Sequence, residues 1–536
     1  VVRMFLYVDR GISVIEMIYY LCRGVCSAST YGVSPPEENQ YRMLRKIRIA
    51  AAVVCFALVT LLFLDFTGTA HAWFGWLAKI QLLPAVLAVN AAVVAALALV
   101  TLLLGRVYCS VICPLGVMQD IAARLGRRVR KNRYGYSPER RWLRWGMLAL
   151  FVILLAVGLS SLAALVAPYS AYGRIASTLL APVWAWGNNV LAYMAERADS
   201  YAFYTVDVWV KSWATLGVAV ATLVVVGVLA WRNGRTWCNT VCPVGTVLGL
   251  LSRFSLLRPV IDTSKCNSCG LCARHCKAAC IDSKTHTIDY SRCVVCMDCI
   301  DKCNKGAISY VLRRKGAAQS AGRSPEPADA SRRNFLTGVG LLVATGAVKA
   351  QEKVVDGGLA AITDKQAPSR VTPIVPAGAR SLRHLTQHCT GCQLCVSVCP
   401  NGVLRPSDDL TTLMQPRMSY ERGYCRPECT KCSEVCPTGA IRAVTRGEKS
   451  STQIGHAVLV MKNCLPASED VSCGNCARHC PAGAITMIAQ SGRRDAPKIP
   501  SVNVERCIGC GACESLCPAR PFSAIYVEGH EQHRTI

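Results

Sequence analysis

The sequence predicts a four-helix transmembrane bundle followed by small α+β domains. Two observations lead to this fold class: four long apolar stretches in the first half of the chain, and cysteines that fall into quartets of regular spacing from residue 266 onward. About 20 apolar residues cross a bilayer core that is about 30 Å thick. The predicted spans are 47–66, 80–104, 143–167 and 214–231. Buried helices of a soluble core are the alternative, which the length of the stretches and their near absence of charge disfavour.

The cysteine spacing indicates what the small domains are. Residues 266–303 contain the run C-x2-C-x2-C-x3-C twice, which is typical of bacterial two-cluster ferredoxins. Three close cysteines of a run hold one 4Fe–4S cluster, and the fourth cysteine ligates the other cluster. We therefore expect a bacterial two-cluster ferredoxin-like domain with crossed ligand sets. The sets are Cys266, Cys269, Cys272 and Cys303, and Cys293, Cys296, Cys299 and Cys276.

The same device recurs twice after residue 388, with a wider gap in one run and an early first cysteine in another. Crossed ligation then predicts four further clusters, and six in the whole chain. The sets are Cys389, Cys392, Cys395 and Cys436; Cys425, Cys429, Cys432 and Cys399; Cys464, Cys473, Cys476 and Cys517; and Cys507, Cys510, Cys513 and Cys480. Zinc is the alternative, which repeated and paired quartets of this spacing disfavour. Cys55 and Cys280 are left over, and we expect structural roles for them.

Composition divides the chain into segments. Met43 begins a basic stretch before an apolar run, so residues 1–42 are expected to be an upstream or disordered extension. Cys22 and Cys26 as additional ligands are the alternative. The remaining predicted segments are a four-span membrane domain over 43–258, a two-cluster domain over 259–312, a linker over 313–330, a twin-arginine signal-like segment over 331–350, and a four-cluster domain over 380–536.

The formal net charge of +27 is distributed as in a membrane protein. Lysine and arginine cluster before the first span and after the second, Arg106 among them. The positive-inside rule then places both ends of the bundle, and with them the first two-cluster domain, in the cytoplasm. Tryptophans near the predicted span ends fit an interfacial belt. We expect a multi-pass protein of the bacterial inner membrane, with lipid and not nucleic acid as the partner of the basic residues.

A pair of arginines, Arg332 and Arg333, precedes Phe335, Leu336 and a weakly apolar stretch that ends at Ala350. This pattern is typical of a twin-arginine signal, which exports folded proteins. A chance arginine pair before a surface helix is the alternative. The signal predicts a periplasmic location for the C-terminal clusters, with the segment either cleaved or retained as a fifth span.

Two C-x3-C-P motifs follow the second and fourth spans, at Cys109 and Cys113 and at Cys238 and Cys242. Each motif has an aromatic residue before it and a glycine after it, which indicates a duplicated two-span unit. An i,i+4 pair lies on one helix face. A jointly held metal, a redox dithiol and packing as small hydrophobes all remain open.

No catalytic constellation stands out elsewhere. His71 and Asp65 lie near the outer end of the first span, where a polar group can hydrogen-bond a quinol and take its proton. A histidine hydrated among lipid headgroups is the alternative. The sequence contains neither a dinucleotide fingerprint nor a P-loop, so a soluble nucleotide-dependent reductase is not supported.

Residues 43–312 resemble the NapH-type membrane ferredoxins, with four spans, two C-x3-C-P motifs and a two-cluster domain. Residues 331–520 resemble the NapG/MauM-type ferredoxins, with a twin-arginine leader followed by four clusters. The resemblance implies a fusion of two quinol dehydrogenase subunits. Quinol from the quinone pool would be oxidised, and electrons would pass to a terminal reductase or an electron-carrier protein. A non-enzymatic regulatory or metalloenzyme-assembly membrane ferredoxin is the alternative, which the C-x3-C-P pairs motivate.

Overall fold

The computed structural model describes residues 38–130, 134–313, 364–490 and 496–536. Cys22, Cys26 and the twin-arginine-like segment 331–350 lie outside the described residues. The helices of the bundle part are α1 (Glu38–Leu64), α2 (Thr69–Phe74), α3 (Trp76–Lys79), α4 (Leu82–Leu87), α5 (Ala91–Leu104), α6 (Val107–Val111), α7 (Pro114–Arg130), α8 (Arg141–Ala156), α9 (Ser160–Val166), α10 (Pro168–Ile175), α11 (Ala181–Glu196), α12 (Trp213–Asn233), α13 (Thr236–Thr240) and α14 (Pro243–Ser252). A π-helical turn at Ala176–Leu180 joins α10 to α11.

Two of these helices, α1 and α12, are long and apolar enough to cross a membrane. At 1.5 Å per residue they extend about 40 Å and about 32 Å, which matches or exceeds a bilayer core of about 30 Å. Helix α12 begins where Ser212 Oγ accepts the Thr215 N–H at 3.1 Å, and it ends at Gly234, which has a φ of 69°. The two helices agree with the predicted spans 47–66 and 214–231.

The predicted spans 80–104 and 143–167 are interrupted. Val89 has a φ of 54°, and the Asn90 side chain caps α5 by accepting the Val93 N–H at 3.2 Å, so the first of these segments is divided into α4 and α5. In the second segment, helix α8 ends at Ala156 and helix α9 begins at Ser160. Gly158, which has a φ of 87°, lies between the two helices. Continuous helices therefore occupy two of the four predicted spans.

The first cysteine domain (residues 257–313) is built from short elements. They are β1 (Leu257–Ile261), α15 (Leu271–His275), β2 (Ile281–Asp282), β3 (Thr287–Ile288), α16 (Asp298–Asp301) and β4 (Ile308–Leu312). Strands β1 and β4 pair antiparallel, with Leu257 opposite Leu312, and β2 pairs with β3, with Ile281 opposite Ile288. The cysteines lie in the loops and short helices between these two ribbons.

The second cysteine domain (residues 364–536) repeats this design on a larger scale. Its elements are a 3₁₀ turn (Ala377–Ala379), α17 (Leu382–His388), α18 (Leu394–Ser397), β5 (Leu404–Pro406), β6 (Pro416–Met418), α19 (Lys431–Val435), α20 (Arg446–Ser451), β7 (Thr452–Leu459), a 3₁₀ turn (Met461–Asn463), α21 (Leu465–Ser468), α22 (Asn475–Arg478), β8 (Ile485–Ile488), β9 (Ile499–Val502), α23 (Ala512–Leu516) and β10 (Ile525–Thr535). The antiparallel pairs are β5 with β6, β8 with β9, and β7 with β10.

The two cysteine domains lie at opposite ends of α1. Near the start of the helix, Arg45 Nε contacts Asp298 of the first cysteine domain at 2.9 Å. Just after its end, the Thr67 carbonyl accepts a hydrogen bond from Lys431 Nζ of the second cysteine domain at 3.1 Å. The helix therefore connects the two cysteine domains along its length.

Helix α12 runs in the opposite direction between the same two domains. At its start, Ser212 Oγ donates to Asp408 of the second cysteine domain at 2.5 Å. After its end, the Arg235 N–H donates to the Lys277 carbonyl of the first cysteine domain at 2.8 Å. The two long helices are thus antiparallel, and a cysteine domain packs against each end of the pair.

Candidate iron–sulfur sites and a buried histidine

Two cysteine quartets line separate pockets in the first cysteine domain. One pocket is lined by Cys266, Cys269, Cys272 and Cys303, and the other by Cys276, Cys293, Cys296 and Cys299. The structure therefore brings together the cysteines of each predicted crossed set. A backbone N–H that follows the second run also donates to the last cysteine of that run: the Ala307 N–H lies 3.2 Å from Cys303 Sγ.

The four sets predicted in the second cysteine domain also converge. One pocket is lined by Cys464, Cys473, Cys476 and Cys517, and another by Cys399, Cys425, Cys429 and Cys432. Electrostatic neighbours define the other two groups, Cys389, Cys392, Cys395 and Cys436, and Cys480, Cys507, Cys510 and Cys513.

The quartets of the second cysteine domain are arranged next to one another. Cys395 lies within electrostatic range of Cys432, which belongs to the next quartet. The Cys425 N–H in turn donates to the Cys510 carbonyl at 3.0 Å, and Cys510 belongs to a third quartet. Neighbouring quartets therefore touch or nearly touch, as a chain of electron carriers requires.

The residues around the quartets fit iron–sulfur clusters. Thiolate-ligated clusters carry negative charge, which is costly to bury without a positive neighbour. Lys449 Nζ donates to the Cys429 carbonyl, and the fully buried Arg174 lies within electrostatic range of Cys392. Backbone N–H groups also point at cysteine sulfurs, a contact that tunes cluster potential.

The quartets are not drawn together around a single metal ion. Zinc holds four ligands at about 2.0–2.3 Å, which draws them into a tight group. Within the described parts of the chain, no group of three or more His, Cys, Asp or Glu side chains is arranged to hold one metal ion. The quartets occur in crossed pairs, as in two-cluster ferredoxins, and this arrangement disfavours zinc.

Cys280 lies closer to a quartet than its expected structural role implies. Its Sγ is 3.5 Å from Cys276 Sγ, and it lines the same pocket as that quartet. The position four residues after the last cysteine of a run is alanine in three other runs, at Ala307, Ala440 and Ala484. The cysteine at this position, where three other runs have alanine, is a signal in the sequence that could have drawn attention to Cys280.

The cysteines of both C-x3-C-P motifs form one buried group, which we call the bundle tetrad (Cys109, Cys113, Cys238 and Cys242). Each of the four is 3–4% exposed. The Cys242 thiol lies within electrostatic range of the other three. The tetrad combines one motif from each half of the duplicated unit, as a site shared between the two halves requires.

Two arginines hold the two motifs together: Arg106, which the sequence analysis treated only as a positive charge, and Arg235, which it did not consider. Arg235 Nη1 donates to the Cys109 carbonyl at 2.5 Å, and Arg106 Nη2 donates to the Cys238 carbonyl at 3.4 Å. Each arginine stands three residues before the first cysteine of its own motif and reaches across to the other motif. Both side chains are buried, so Arg106 is not a surface charge at the membrane boundary.

Glycine is required after each motif because these contacts are so close. A Cβ at Gly116 would collide with the Cys109 carbonyl and lie 3.2 Å from Arg235 Nη1. A Cβ at Gly245 would likewise collide with the Cys238 carbonyl. The glycines noted in the sequence therefore make room for the arginine that arrives from the other half.

Asp65 and His71 form a buried pair directly after α1. Asp65 accepts hydrogen bonds from the N–H groups of Gly68 and Ala70, at 3.0 Å and 2.7 Å, which fixes the carboxylate. His71 Nδ1 lies 3.4 Å from the same carboxylate, and the histidine side chain is only 6% exposed. His71 Nε2 is buried and has no hydrogen-bond partner among the described residues. Such burial does not suit a histidine that is hydrated among headgroups.

Comparison with known proteins agrees with the cysteine geometry. A family model described as a 4Fe–4S dicluster domain matches residues 388–440 and 471–520, and one described as a 4Fe–4S binding domain matches residues 87–133 and 213–261. The latter two segments contain the four cysteines of the bundle tetrad. No solved structure matches the chain at a significant level.

The methylamine utilization ferredoxin-type protein MauM of Methylorubrum extorquens is 31% identical over 36% of this chain and 86% of its own length. This chain belongs to the ferredoxin-type protein family of NapH, MauN and MauM. The ferredoxin-type protein NapH of Haemophilus influenzae is 28% identical over 39% of the chain, and MauN of Methylobacillus flagellatus is 25% identical over 39%. The chain spans 63% and 62% of the lengths of these two ferredoxin-type proteins. The family and its 4Fe–4S domains support an electron-transport role.

Proposed function

We propose that this protein oxidises quinol where the bundle meets the second cysteine domain and delivers the electrons to a reductase or an electron-carrier protein. The observation that carries the proposal is the buried pair of Asp65 and His71, with an unpartnered Nε2. Lys431, which bonds the neighbouring Thr67 carbonyl, stands between Cys429 and Cys432 in the sequence. The pair thus lies beside a cysteine quartet.

In this proposal His71 accepts a proton from a quinol hydroxyl. Burial lowers the pKa of His71 below its ordinary value, while Asp65 opposes that shift. The imidazole is then neutral near pH 7, and with its Nδ1 proton directed to Asp65 it offers the Nε2 lone pair. General-base catalysis of this kind contributes about 10²–10⁴-fold to a rate. Oxidation of one quinol to quinone releases two protons and two electrons. Bound clusters take up the electrons one at a time.

The six crossed cysteine sets are the proposed cluster ligands, because each set converges in the fold. We further propose that the bundle crosses the membrane four times, with α4–α5 and α8–α9 as interrupted spans. Packing of the two cysteine domains at opposite ends of α1 supports two clusters in the cytoplasm and four in the periplasm. The twin-arginine signal-like segment 331–350 would direct the export of the C-terminal clusters, as in a fusion of NapH-type and NapG/MauM-type subunits.

The quinol site is tested with membranes that contain the full chain and a reduced short-chain quinol analogue. We expect His71→Gln to slow cluster reduction, followed by electron paramagnetic resonance, by about 100-fold or more. The control is His530→Gln, because His530 pairs with His456 in the second cysteine domain and contacts no proposed quinol group. If both variants reduce at the wild-type rate, or if no cluster is reduced by quinol, the proposal fails.

Sidedness is tested separately by protease treatment of intact spheroplasts. We expect cleavage within residues 364–536 before lysis and within residues 257–313 only after lysis. Digestion of both regions only after lysis would place all the clusters in the cytoplasm and overturn the export proposal.

A further inference from the structure

We propose that the bundle tetrad holds a seventh iron–sulfur cluster of the 4Fe–4S type, between the two cysteine domains. The tetrad supplies four thiols that are nearly free of solvent, and the duplicated halves contribute two each. The site is additional to the six clusters of the proposed function, and it depends on neither the quinol site nor the direction of electron flow.

The charges around the tetrad favour an anionic occupant. Arg106 is fully buried, and no carboxylate lies within ion-pair distance of it in the described residues; its Nε also has no hydrogen-bond partner there. Arg235 is equally buried and has one carboxylate, Asp120, at 2.7 Å, while its Nη2 has no hydrogen-bond partner. A buried cation without a counter-ion is strongly unfavourable. A cluster with four thiolate ligands supplies that negative charge.

Hydrogen-bond donors are aimed at the sulfurs of the tetrad. Gln119 Nε2 donates to Cys238 Sγ at 3.2 Å, and the Gly245 N–H donates to Cys242 Sγ at 3.4 Å. The Ala307 N–H makes the same kind of contact with Cys303 in the first cysteine domain. Donors of this kind stabilise cluster thiolates and tune their potential. Cysteines that served only as small hydrophobes would not need them.

The other occupants left open by the sequence fit less well. The four cysteines are free thiols and form no disulfide. A site of four buried thiols with cationic neighbours matches a four-iron cube.

The tetrad is connected to the first cysteine domain through Arg106. Arg106 Nη1 donates to the Ser291 carbonyl at 3.0 Å, and Ser291 stands two residues before Cys293. The same guanidinium places Nη2 3.8 Å from Cys109 Sγ. One side chain therefore bridges the tetrad and the quartet of the first cysteine domain that lies against the bundle.

Two tyrosines connect the tetrad to the second cysteine domain. Tyr108 lies within electrostatic range of Cys113 and Cys242, and Tyr169 lies within range of both Tyr108 and Cys392. Both rings are buried. A cluster in the tetrad would thus link the two cluster domains into one electron path through the bundle.

The first test is the iron and acid-labile sulfide content of the full chain, purified without oxygen. Seven clusters of four irons give about 28 irons per chain, and six give about 24. We expect Cys109→Ser with Cys242→Ser to lose about one seventh of the iron. The matched control is Cys55→Ser, a bundle cysteine outside every quartet, which should lose none. A wild-type content of about 24 irons, or one copper or zinc bound at the tetrad, would overturn the proposal.

A milder variant keeps the proposal testable if the serine variants do not accumulate. Gln119→Leu leaves all four thiols in place and removes one N–H donor to Cys238. We expect one redox component in a titration followed by electron paramagnetic resonance to move to lower potential, while the others stay in place. A titration identical to wild type, together with a mass spectrum that shows a disulfide within the tetrad, would refute a cluster at this site.

Discussion

Replacing Asp120 by asparagine is expected to weaken the attachment of the first cysteine domain to the bundle. Asp120 lies on α7 and accepts from Arg235 Nε at 2.7 Å and from Lys277 Nζ at 2.9 Å. Lys277 follows Cys276, so the carboxylate joins the bundle to a cysteine run. The substitution keeps the shape of the side chain and leaves Arg235, Lys277 and the more distant Arg48, at 3.9 Å, without their shared counter-ion.

The expected loss follows from the burial of the partners. The Arg235 side chain has no exposed surface, and that of Lys277 is 9% exposed. Removal of one partner of a buried ion pair costs about 3–5 kcal/mol. Lys277 retains Asp298 at 3.3 Å, so we expect a loss near the lower limit, about 3 kcal/mol. At about 2–4 °C per kcal/mol for an unfolding unit of about 150–250 residues, the melting temperature of the bundle should fall by about 6–12 °C.

The loss should depend on pH in a defined direction. Burial opposes the ionised form of Asp120, but Arg235 and Lys277 outweigh it and hold the pKa of this carboxyl well below its ordinary range. A lowered pKa stabilises the fold above the unfolded value of about 3.9, and that stability is lost as the pH falls through the folded value. The difference between wild type and variant should therefore be constant from about pH 5 to 8 and shrink only in acid.

The assay is thermal unfolding of the full chain in detergent, followed by fluorescence. Asp301→Asn is the matched control, because Asp301 contacts Arg45 at 3.6 Å with 18% of its side chain exposed. A pair of this kind contributes about 0–1 kcal/mol. If Asp120→Asn costs no more than Asp301→Asn, the buried network is not what attaches the domain.

Two further predictions concern ligation. Cys436→Ser should abolish the signal of the cluster whose quartet begins at Cys389 and spare the cluster whose quartet begins at Cys425. Mössbauer and electron paramagnetic resonance spectra distinguish the two clusters. Loss of the second cluster with retention of the first would refute crossed ligation. Cys276→Ser should retain a cluster with an altered spectrum, because Cys280 Sγ lies 3.5 Å from Cys276 Sγ and can replace it as a ligand. The double variant Cys276→Ser with Cys280→Ala should lose that cluster. If the single and double variants give the same spectrum, Cys280 is not a substitute ligand.

The convergence of the cysteine sets could be predicted because it is encoded locally. A run such as Cys389 to Cys399 fixes three thiols within one short turn, and the fourth extends beyond it by a constant gap. The pairing of runs then follows from the duplicated design. The position of Cys280 beside a quartet was not predicted. Spacing rules identify the ligands of a cluster and say nothing about the residues that pack beside those ligands.

The interruptions of the apolar stretches could not be predicted from hydropathy. Val89 is apolar whether its backbone is helical or left-handed, so a span prediction does not register its φ of 54°. Burial of Arg106 was missed for a related reason. A positive residue at the end of a predicted span normally marks the cytoplasmic boundary, and only the contact with the Cys238 carbonyl reveals that this one faces the interior.

The reciprocal arginines explain why the two halves of the bundle must fold together. Neither half can satisfy its own arginine, since Arg106 needs the Cys238 carbonyl and Arg235 needs the Cys109 carbonyl. A buried guanidinium left without these acceptors would be costly. Assembly of the halves therefore brings the four thiols of the tetrad together. The first cysteine domain packs against the ends of both α5 and α12, because the Tyr310 hydroxyl donates to the Leu104 carbonyl at 2.8 Å and the Arg235 N–H donates to the Lys277 carbonyl at 2.8 Å. Arg106, which holds the two motifs together, also donates to the Ser291 carbonyl of that domain, so the position of the domain depends on contacts that form the tetrad.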